Sequence, residues 1–321
     1  MKAIQVCGHG GPDVLEYTEL ATPRPGPSEI LVRTEAIGVN FIDTYHRSGE
    51  YAVDLPFVPG DEASGTVAEV GAEVQEFEAG DRVAWTSPFG SYAEFTAVPA
   101  SAAVKVPSGL SPEIAASALA QGMTAHYLVH STYPVAAGDV VLVHAGAGGV
   151  GMVLTQFAAN LGARVISTVS TDGKEAAARA AGAWEVLRYD DDIPSRVREL
   201  TDGDGVPVVF DGVGAATFEA SLASLRRRGT LVLYGAASGP VDPVDPQRLN
   251  AAGSVYLTRP TIADYLVDRE ELVRRAEAVF EGLVSGRLSI TVGSTYPLSD
   301  AGEAHRALES RETTGAVVLV P

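Results

Sequence analysis

The chain has 321 residues, 46% of them hydrophobic and 20% charged, with no low-complexity tract. That length predicts two domains and leaves room for real cores. A formal net charge of −18 works against binding nucleic acid or an anionic membrane, which need clustered Lys and Arg, and the single cysteine, Cys7, excludes an intramolecular disulfide.

Residues 1 to about 107 read as short strands at 3–6, 29–39, 65–70, 82–85, 92–98 and 103–106. Between them lie turn signals such as Gly10-Gly11-Pro12, Pro59-Gly60 and Gly80-Asp81. This spacing predicts a compact, partly open β-barrel rather than parallel βαβ units. Ser111, Pro112 and Glu113 supply an N-cap, a first-turn proline and an early acid for a helix through 115–119, and a second helix is expected over 123–131.

The pattern changes after Gly138. Apolar strands at 140–144, 165–170, 185–189, 206–210 and 230–233 alternate with helical stretches at 149–161, 173–181, 193–201 and 216–226. Such alternation predicts a doubly wound parallel sheet, and a strand around 254–257 would close its far edge. A helix over 270–284 places Leu272, Ala276, Val279, Phe280 and Leu283 on one face; a short helix at 300–308 and a strand at 316–320 follow. These last elements are expected to return to the first domain. The predicted domains are 1–121 completed by 259–321, and 122–258. No membrane span or charged-then-apolar leader is visible, and the lone cysteine suits a reducing compartment, so a soluble cytoplasmic protein is expected.

The glycines Gly146, Gly148, Gly149 and Gly151, with Ala147 and Val150 among them, form GxGxxG between a predicted strand and helix. The first glycine permits the tight turn, the second lets backbone approach a pyrophosphate, and the third lets helix and strand pack closely. The helix would point its amides and positive dipole end at the phosphates. The alternative is a strand-to-helix turn that needs glycine for packing alone.

An NAD-dependent protein of this architecture places an acid about 20 residues further on, to hold the ribose 2′-OH. Here the second strand ends at Ser170, with Lys174 following one turn later. A neutral residue backed by a cation suits a 2′-phosphate, which a carboxylate would repel. Asp172 is discordant and is taken as a helix N-cap with its side chain turned to the helix amides. NADPH is therefore expected over NADH.

Several separate motifs occur in order: GVNFIDTYHRSGEY (38–51), PGDEASGTVAEVG (59–71), AGDRV (79–83), HAGAGGVG (144–151), GAWEVLRY (182–189) and HRALESRETTG (305–315). On these landmarks the chain resembles the zeta-crystallin-type quinone oxidoreductases of the medium-chain dehydrogenase/reductase superfamily, over nearly its whole length. The resemblance implies a GroES-like, partly open β-barrel catalytic domain beside a Rossmann doubly wound parallel-sheet domain for NADPH. It implies that Tyr189 and Arg311 contact the 2′-phosphate beside Ser170 and Lys174; solvated surface charge is the alternative for Lys174 and Arg311.

Zinc-dependent members of that superfamily carry a cysteine where this chain has Asn40, and Gly-His-Glu where it has Gly60-Asp61-Glu62. No zinc is expected on that ground, and Asp61 and Glu62 are assigned a structural or hydrogen-bonding role. Without a Lewis acid the acceptor should be electron-poor by its own structure, a quinone or a conjugated carbonyl compound. The resemblance places Asn40, Asp43, Tyr45 and Tyr51 beside the nicotinamide, Tyr51 as one candidate proton donor, with plain packing as the alternative for the tyrosines. Thr124 and Tyr127 are placed to touch nicotinamide or acceptor, and Gly235-Ala236 to bring backbone to the nicotinamide. Asp211 ends a strand in the same way or caps its loop. The expected function is NADPH:quinone reduction. Its alternatives are reduction of enones or enoyl thioesters, and an NADPH-binding sensor or structural protein with little turnover. Relatives commonly form homodimers through the edge strand of the cofactor domain, here 254–257.

Overall fold

The structure is a computed structural model and describes residues 1–86 and 89–321. The chain runs through β1 (Lys2–Gln5), β2 (Glu16–Glu19), β3 (Glu29–Val39), α1 (Phe41–Ser48), β4 (Glu62–Val70), β5 (Arg82–Thr86), β6 (Phe95–Pro99), β7 (Ala103–Lys105), α2 (Pro112–Ala115) and α3 (Leu119–Tyr127). It continues through β8 (Val140–Val143), α4 (Gly149–Asn160), β9 (Arg164–Val169), α5 (Asp172–Ala180), β10 (Glu185–Arg188), α6 (Ile193–Leu200), β11 (Val206–Asp211), α7 (Phe218–Ser224) and β12 (Leu225–Leu233). The last elements are α8 (Pro246–Ala251), β13 (Tyr256–Thr258), α9 (Arg269–Val284), β14 (Val292–Pro297), α10 (Ala301–Glu309) and β15 (Ala316–Val320). Two compact units result: Met1–Gln121 with Asp268–Gly286 and Ile290–Pro321, and Gly122–Val267 with Arg287–Ser289.

The first unit is built on β3, whose 11 residues reach β4, β6 and β15, all antiparallel. The sheet path is β14-β15-β3-β4-β5-β7, with β6 also on β3. Ile30, Val32, Ile37, Val83, Trp85, Val317 and Leu319 are buried together. Each large apolar side chain removed from water there contributes about 1.5–3 kcal/mol.

The second unit is a six-stranded parallel sheet in the order β10-β9-β8-β11-β12-β13. Chain order reverses between β8 and β11, the switch point at whose carboxyl edge doubly wound sheets bind ligands. All four residues of β8 are buried, as expected of a parallel strand covered on both faces.

Several local expectations change. Residues 41–48, for which no element was expected, form α1, where the Asp43 carboxyl accepts the Asn40 backbone amide at 2.8 Å and so satisfies an amide at the helix start. The helix expected over 216–226 ends at Ser224, and Arg226–Gly229 joins β12; Arg228 has φ 57°, which no helix accommodates. The strand expected from residue 92 begins at Phe95, since the Tyr92 amide is donated to Pro59 O at 3.0 Å. α2 ends at Ala115, where the sequence suggested a helix running to 119, and α3 ends in a π-helical turn over Leu128–Thr132. β2, β14 and α8 were not anticipated. No helix among the described residues is long and apolar enough to cross a membrane.

Candidate functional site

The glycine-rich turn follows β8 and opens α4, as its spacing requires. A Cβ on Gly146 would lie 1.9 Å from Ser167 Oγ, and one on Gly151 would lie 2.2 Å from the Ala145 carbonyl oxygen. These two glycines therefore serve close packing. A Cβ on Gly148 would meet only Ala145 O, at 3.2 Å, and otherwise open space. Gly148 is also the N-cap of α4 and supplies no capping side chain. The first-turn amides, including those of Gly149 and Val150, thus face an open cradle with a helix dipole behind it. Ala147 is buried in a small apolar cluster with Val169, Ala178 and Val186. A pyrophosphate fits this cradle.

At the neighbouring strand ends, Ser170 is exposed and Lys174 half-buried. The Tyr189 hydroxyl accepts the Ala145 amide at 2.9 Å, and its ring stacks on His144 with centroids 6.2 Å apart. His144 Nδ1 lies 2.8 Å from Thr168 Oγ1, and burial lowers the imidazole pKa. Asp172 differs from the expectation. Thr171 caps α5, its hydroxyl accepting the Lys174 amide at 3.4 Å, while Asp172 turns outward to Arg188 at 2.5 Å. The threonine one residue earlier takes the cap because it holds the extended backbone that precedes the helix, and Asp172 is already the first helical residue.

At the carboxyl ends of β11 and β12, Asp211 is a loop cap. Its Oδ1 accepts the amides of Val213 at 2.8 Å and Gly214 at 3.1 Å, and its Oδ2 accepts the hydroxyl of Ser221 at 2.6 Å. Gly235 and Ala236 follow β12, where a Cβ on Gly235 would lie 2.5 Å from Gly212 O. Thr124 and Tyr127 lie on α3; Thr124 is half-exposed, whereas the Tyr127 ring is buried and stacked on Tyr265 at 4.2 Å.

In the first unit, α1 and the start of β4 bring Asn40, Asp43 and Glu62 together. Glu62 is fully buried; its Oε2 accepts Asn40 Nδ2 at 2.8 Å and its Oε1 accepts the Ala120 amide at 2.7 Å. Burial pushes its carboxyl up to about 8, and Asp61 beside it up to about 6. Asp43 is raised well above the usual carboxylate range, by burial first and by Asp61 second. Asp43 Oδ1 and Asp61 Oδ1 are buried without a protein partner among the described residues. Protonation answers the cost of such orphaned oxygens.

A buried chain of hydrogen bonds leads from Asp43. Arg47 NH1 stands 3.1 Å from His305 Nδ1 and can only donate, so Nδ1 accepts and the ring proton sits on Nε2. Nε2 then donates to the Tyr92 oxygen at 3.0 Å, and the Tyr92 hydroxyl donates to Asp43 Oδ2 at 3.1 Å. Burial and Arg47 hold His305 down to about 3, which keeps it neutral. Arg47 is anchored in turn on Glu309 at 2.6 Å. Sequence reasoning missed Arg47, Tyr92 and His305. Tyr45 and Tyr51 pack ring to ring at 5.3 Å, with Tyr51 40% exposed and open to solvent. Arg311 is exposed just beyond α10, with φ 59°.

Residues 26–108 match the family model of the alcohol dehydrogenase GroES-like domain, and residues 149–277 match that of the zinc-binding dehydrogenase. The donor set here does not fit zinc. The Asn40 amide already donates to Glu62, and no group of three His, Cys, Asp or Glu among the described residues is arranged to hold a metal ion. The chain is 44% identical to a quinone oxidoreductase of Pseudomonas aeruginosa, covering 100% of this chain and 99% of that one. It is similar to the NADPH complex of mycobacterial Rv1454c, with TM-score 0.98 and 56% identity over 100% of both chains. The NADPH complex of Escherichia coli quinone oxidoreductase superposes with TM-score 0.98 at 42% identity, again over 100% of both. Likeness of this extent in both sequence and structure places the chain in the quinone oxidoreductase family of the medium-chain dehydrogenase/reductase superfamily.

Proposed function

We propose that the chain is a zinc-independent NADPH:quinone oxidoreductase. The observation that carries this is the open cradle at Gly148 on the switch point of a doubly wound sheet, in a chain matched end to end by NADPH-bound relatives. Bound NADPH supplies a hydride for an electron-poor acceptor. In this reading Gly146–Gly151 hold the pyrophosphate, and Ser170, Lys174, Tyr189 and Arg311 receive the 2′-phosphate. Gly235, Ala236, Thr124 and Tyr127 belong to the nicotinamide side. Asn40, Tyr45 and Tyr51 receive the quinone, and Asp43 positions Asn40 by accepting its amide.

The domain roles follow. Residues 1–121 with 268–286 and 290–321 are assigned the catalytic role, and 122–267 with 287–289 the NADPH-binding role, so the return to the first unit comes at 268 rather than at the expected 259. β13 ends its sheet with Tyr256 63% exposed, which supports a homodimer paired along that edge. The single cysteine supports a cytoplasmic location.

The test is NADPH and NADH oxidation, side by side, with 1,4-benzoquinone and 9,10-phenanthrenequinone after EDTA treatment. Fast turnover with NADPH, insensitive to EDTA, is expected. NADH preference overturns the cofactor assignment, and NADPH binding without quinone turnover overturns the reductase assignment.

A further inference from the structure

The phosphate-facing end of β9 contains a contradiction. Ser170 and Lys174 suit an adenosine 2′-phosphate, yet the Asp172 carboxylate lies between them in the chain, with its side chain fully exposed. A free carboxylate there opposes a second anion.

Arg188, the last residue of β10, pairs in register with Val169, the last of β9. Its NH2 donates to Asp172 Oδ1 at 2.5 Å and to Glu175 Oε2 at 2.8 Å. Arg188 NH1 is buried and has no protein partner among the described residues, so the outward contacts of this guanidinium run through NH2. Glu175 is shared with Arg179 at 2.9 Å, which also reaches Glu185 at 3.4 Å. Glu175 and Glu185 on this side of the unit are thus tied to guanidinium groups, and Asp172 is tied to Arg188.

We propose that Arg188 is a specificity-determining residue: by pairing with Asp172 it cancels a carboxylate that would otherwise turn the end of β9 against a 2′-phosphate and towards a free ribose hydroxyl. The inference rests on the NADPH assignment above. It assigns Arg188 a role through Asp172, not a contact with the phosphate.

The test uses the full chain and calorimetric titration with 2′,5′-ADP and with 5′-AMP, which differ by the 2′-phosphate. Wild type is expected to bind 2′,5′-ADP more tightly. Arg188→Leu should weaken 2′,5′-ADP about tenfold at low salt, the size of an unpaired charge acting on a dianion through water, while 5′-AMP shifts less than about twofold. Asp172→Asn alone should change either ligand less than about twofold, and added to Arg188→Leu it should restore most of the lost affinity. Arg188→Lys, which keeps the charge, should retain most of it. No recovery in the double variant overturns the inference in favour of direct phosphate contact. Equal weakening of both ligands overturns it in favour of a purely structural role. A wild-type chain indifferent to the 2′-phosphate overturns the NADPH assignment itself, and this inference with it.

Discussion

Glu62 and Asn40 hold each other in one orientation: Oε2 of the buried carboxyl accepts Asn40 Nδ2 at 2.8 Å while Oε1 is occupied by the Ala120 amide. The Asn40 amide is therefore oriented by a group that the solvent does not reach. The arrangement has consequences for pH.

Glu62 keeps its proton in the folded chain up to about pH 8, whereas an unfolded glutamate loses it near 4.5. Between those values the unfolded state binds fewer protons, so stability falls as pH rises, by about 1.4 kcal/mol per pH unit at full effect. Asp61, raised to about 6, acts with the same sign at lower pH. His46, His144 and His305 are all lowered by burial and act oppositely, but only below about 6.5, where an unfolded histidine is charged. Stability measured by denaturant melts should therefore decline from pH 7 to 8. Glu62→Gln should flatten that decline; an unaltered slope removes Glu62 as its source.

Tyr92→Phe deletes the hydroxyl that joins His305 to Asp43, leaving a buried acceptor one donor short. A stability loss of about 1–3 kcal/mol is expected. In the wild type, 15N-edited spectra of the His305 ring should show the proton on Nε2 near neutral pH. A proton on Nδ1 contradicts the direction of the chain.

The glycine loop separates packing from binding. Gly151→Ala drives a Cβ to 2.2 Å from a backbone oxygen and should destabilise the fold by about 2 kcal/mol or more. Gly148→Ala meets only one oxygen at 3.2 Å, so its melting temperature should move little. Its NADPH affinity, read by nucleotide fluorescence, should fall about tenfold or more as the methyl enters the cradle. Equal NADPH binding by wild type and Gly148→Ala assigns the pyrophosphate elsewhere.

Tyr51 is 40% exposed, so water has access to any proton it could donate. Tyr51→Phe should keep kcat for quinones within about threefold. A loss of about 100-fold or more, the range of general acid catalysis, identifies it as the proton donor instead. Tyr51→Ala removes the ring packed on Tyr45 and should raise KM.

Long apolar runs were legible from the sequence. β3, β15 and α4 fall within a residue of their expected bounds, because strand burial and helical spacing are local properties of the chain. The parallel sheet followed from alternation, whereas its switch point between β8 and β11 needed the strand order. What stayed hidden depended on distant partners. Arg47, Tyr92 and His305 meet only once α1, the residues before β6 and α10 are folded together. No spacing rule joins positions 47, 92 and 305. Asp172 and Thr171 are both good caps by type, and which of them stands outside the first turn was not legible; Asp172 instead meets Arg188, sixteen residues downstream. α1 was obscured because Phe41, Ile42 and Tyr45 look like strand residues until Asp43 is seen to satisfy the Asn40 amide.

The hydrogen bond from the Ala145 amide to the Tyr189 hydroxyl bears on how freely this chain can be altered. Ala145 has φ 54°, unusual for a residue with a Cβ, and it immediately precedes the glycine turn. Tyr189 thus helps support a strained loop at the same strand end assigned to cofactor choice. An engineer seeking an NADH-selective descendant should leave Tyr189 alone and work on Ser170, Lys174 and Arg188, since replacing the tyrosine would trade discrimination for loss of the loop that both nucleotides need.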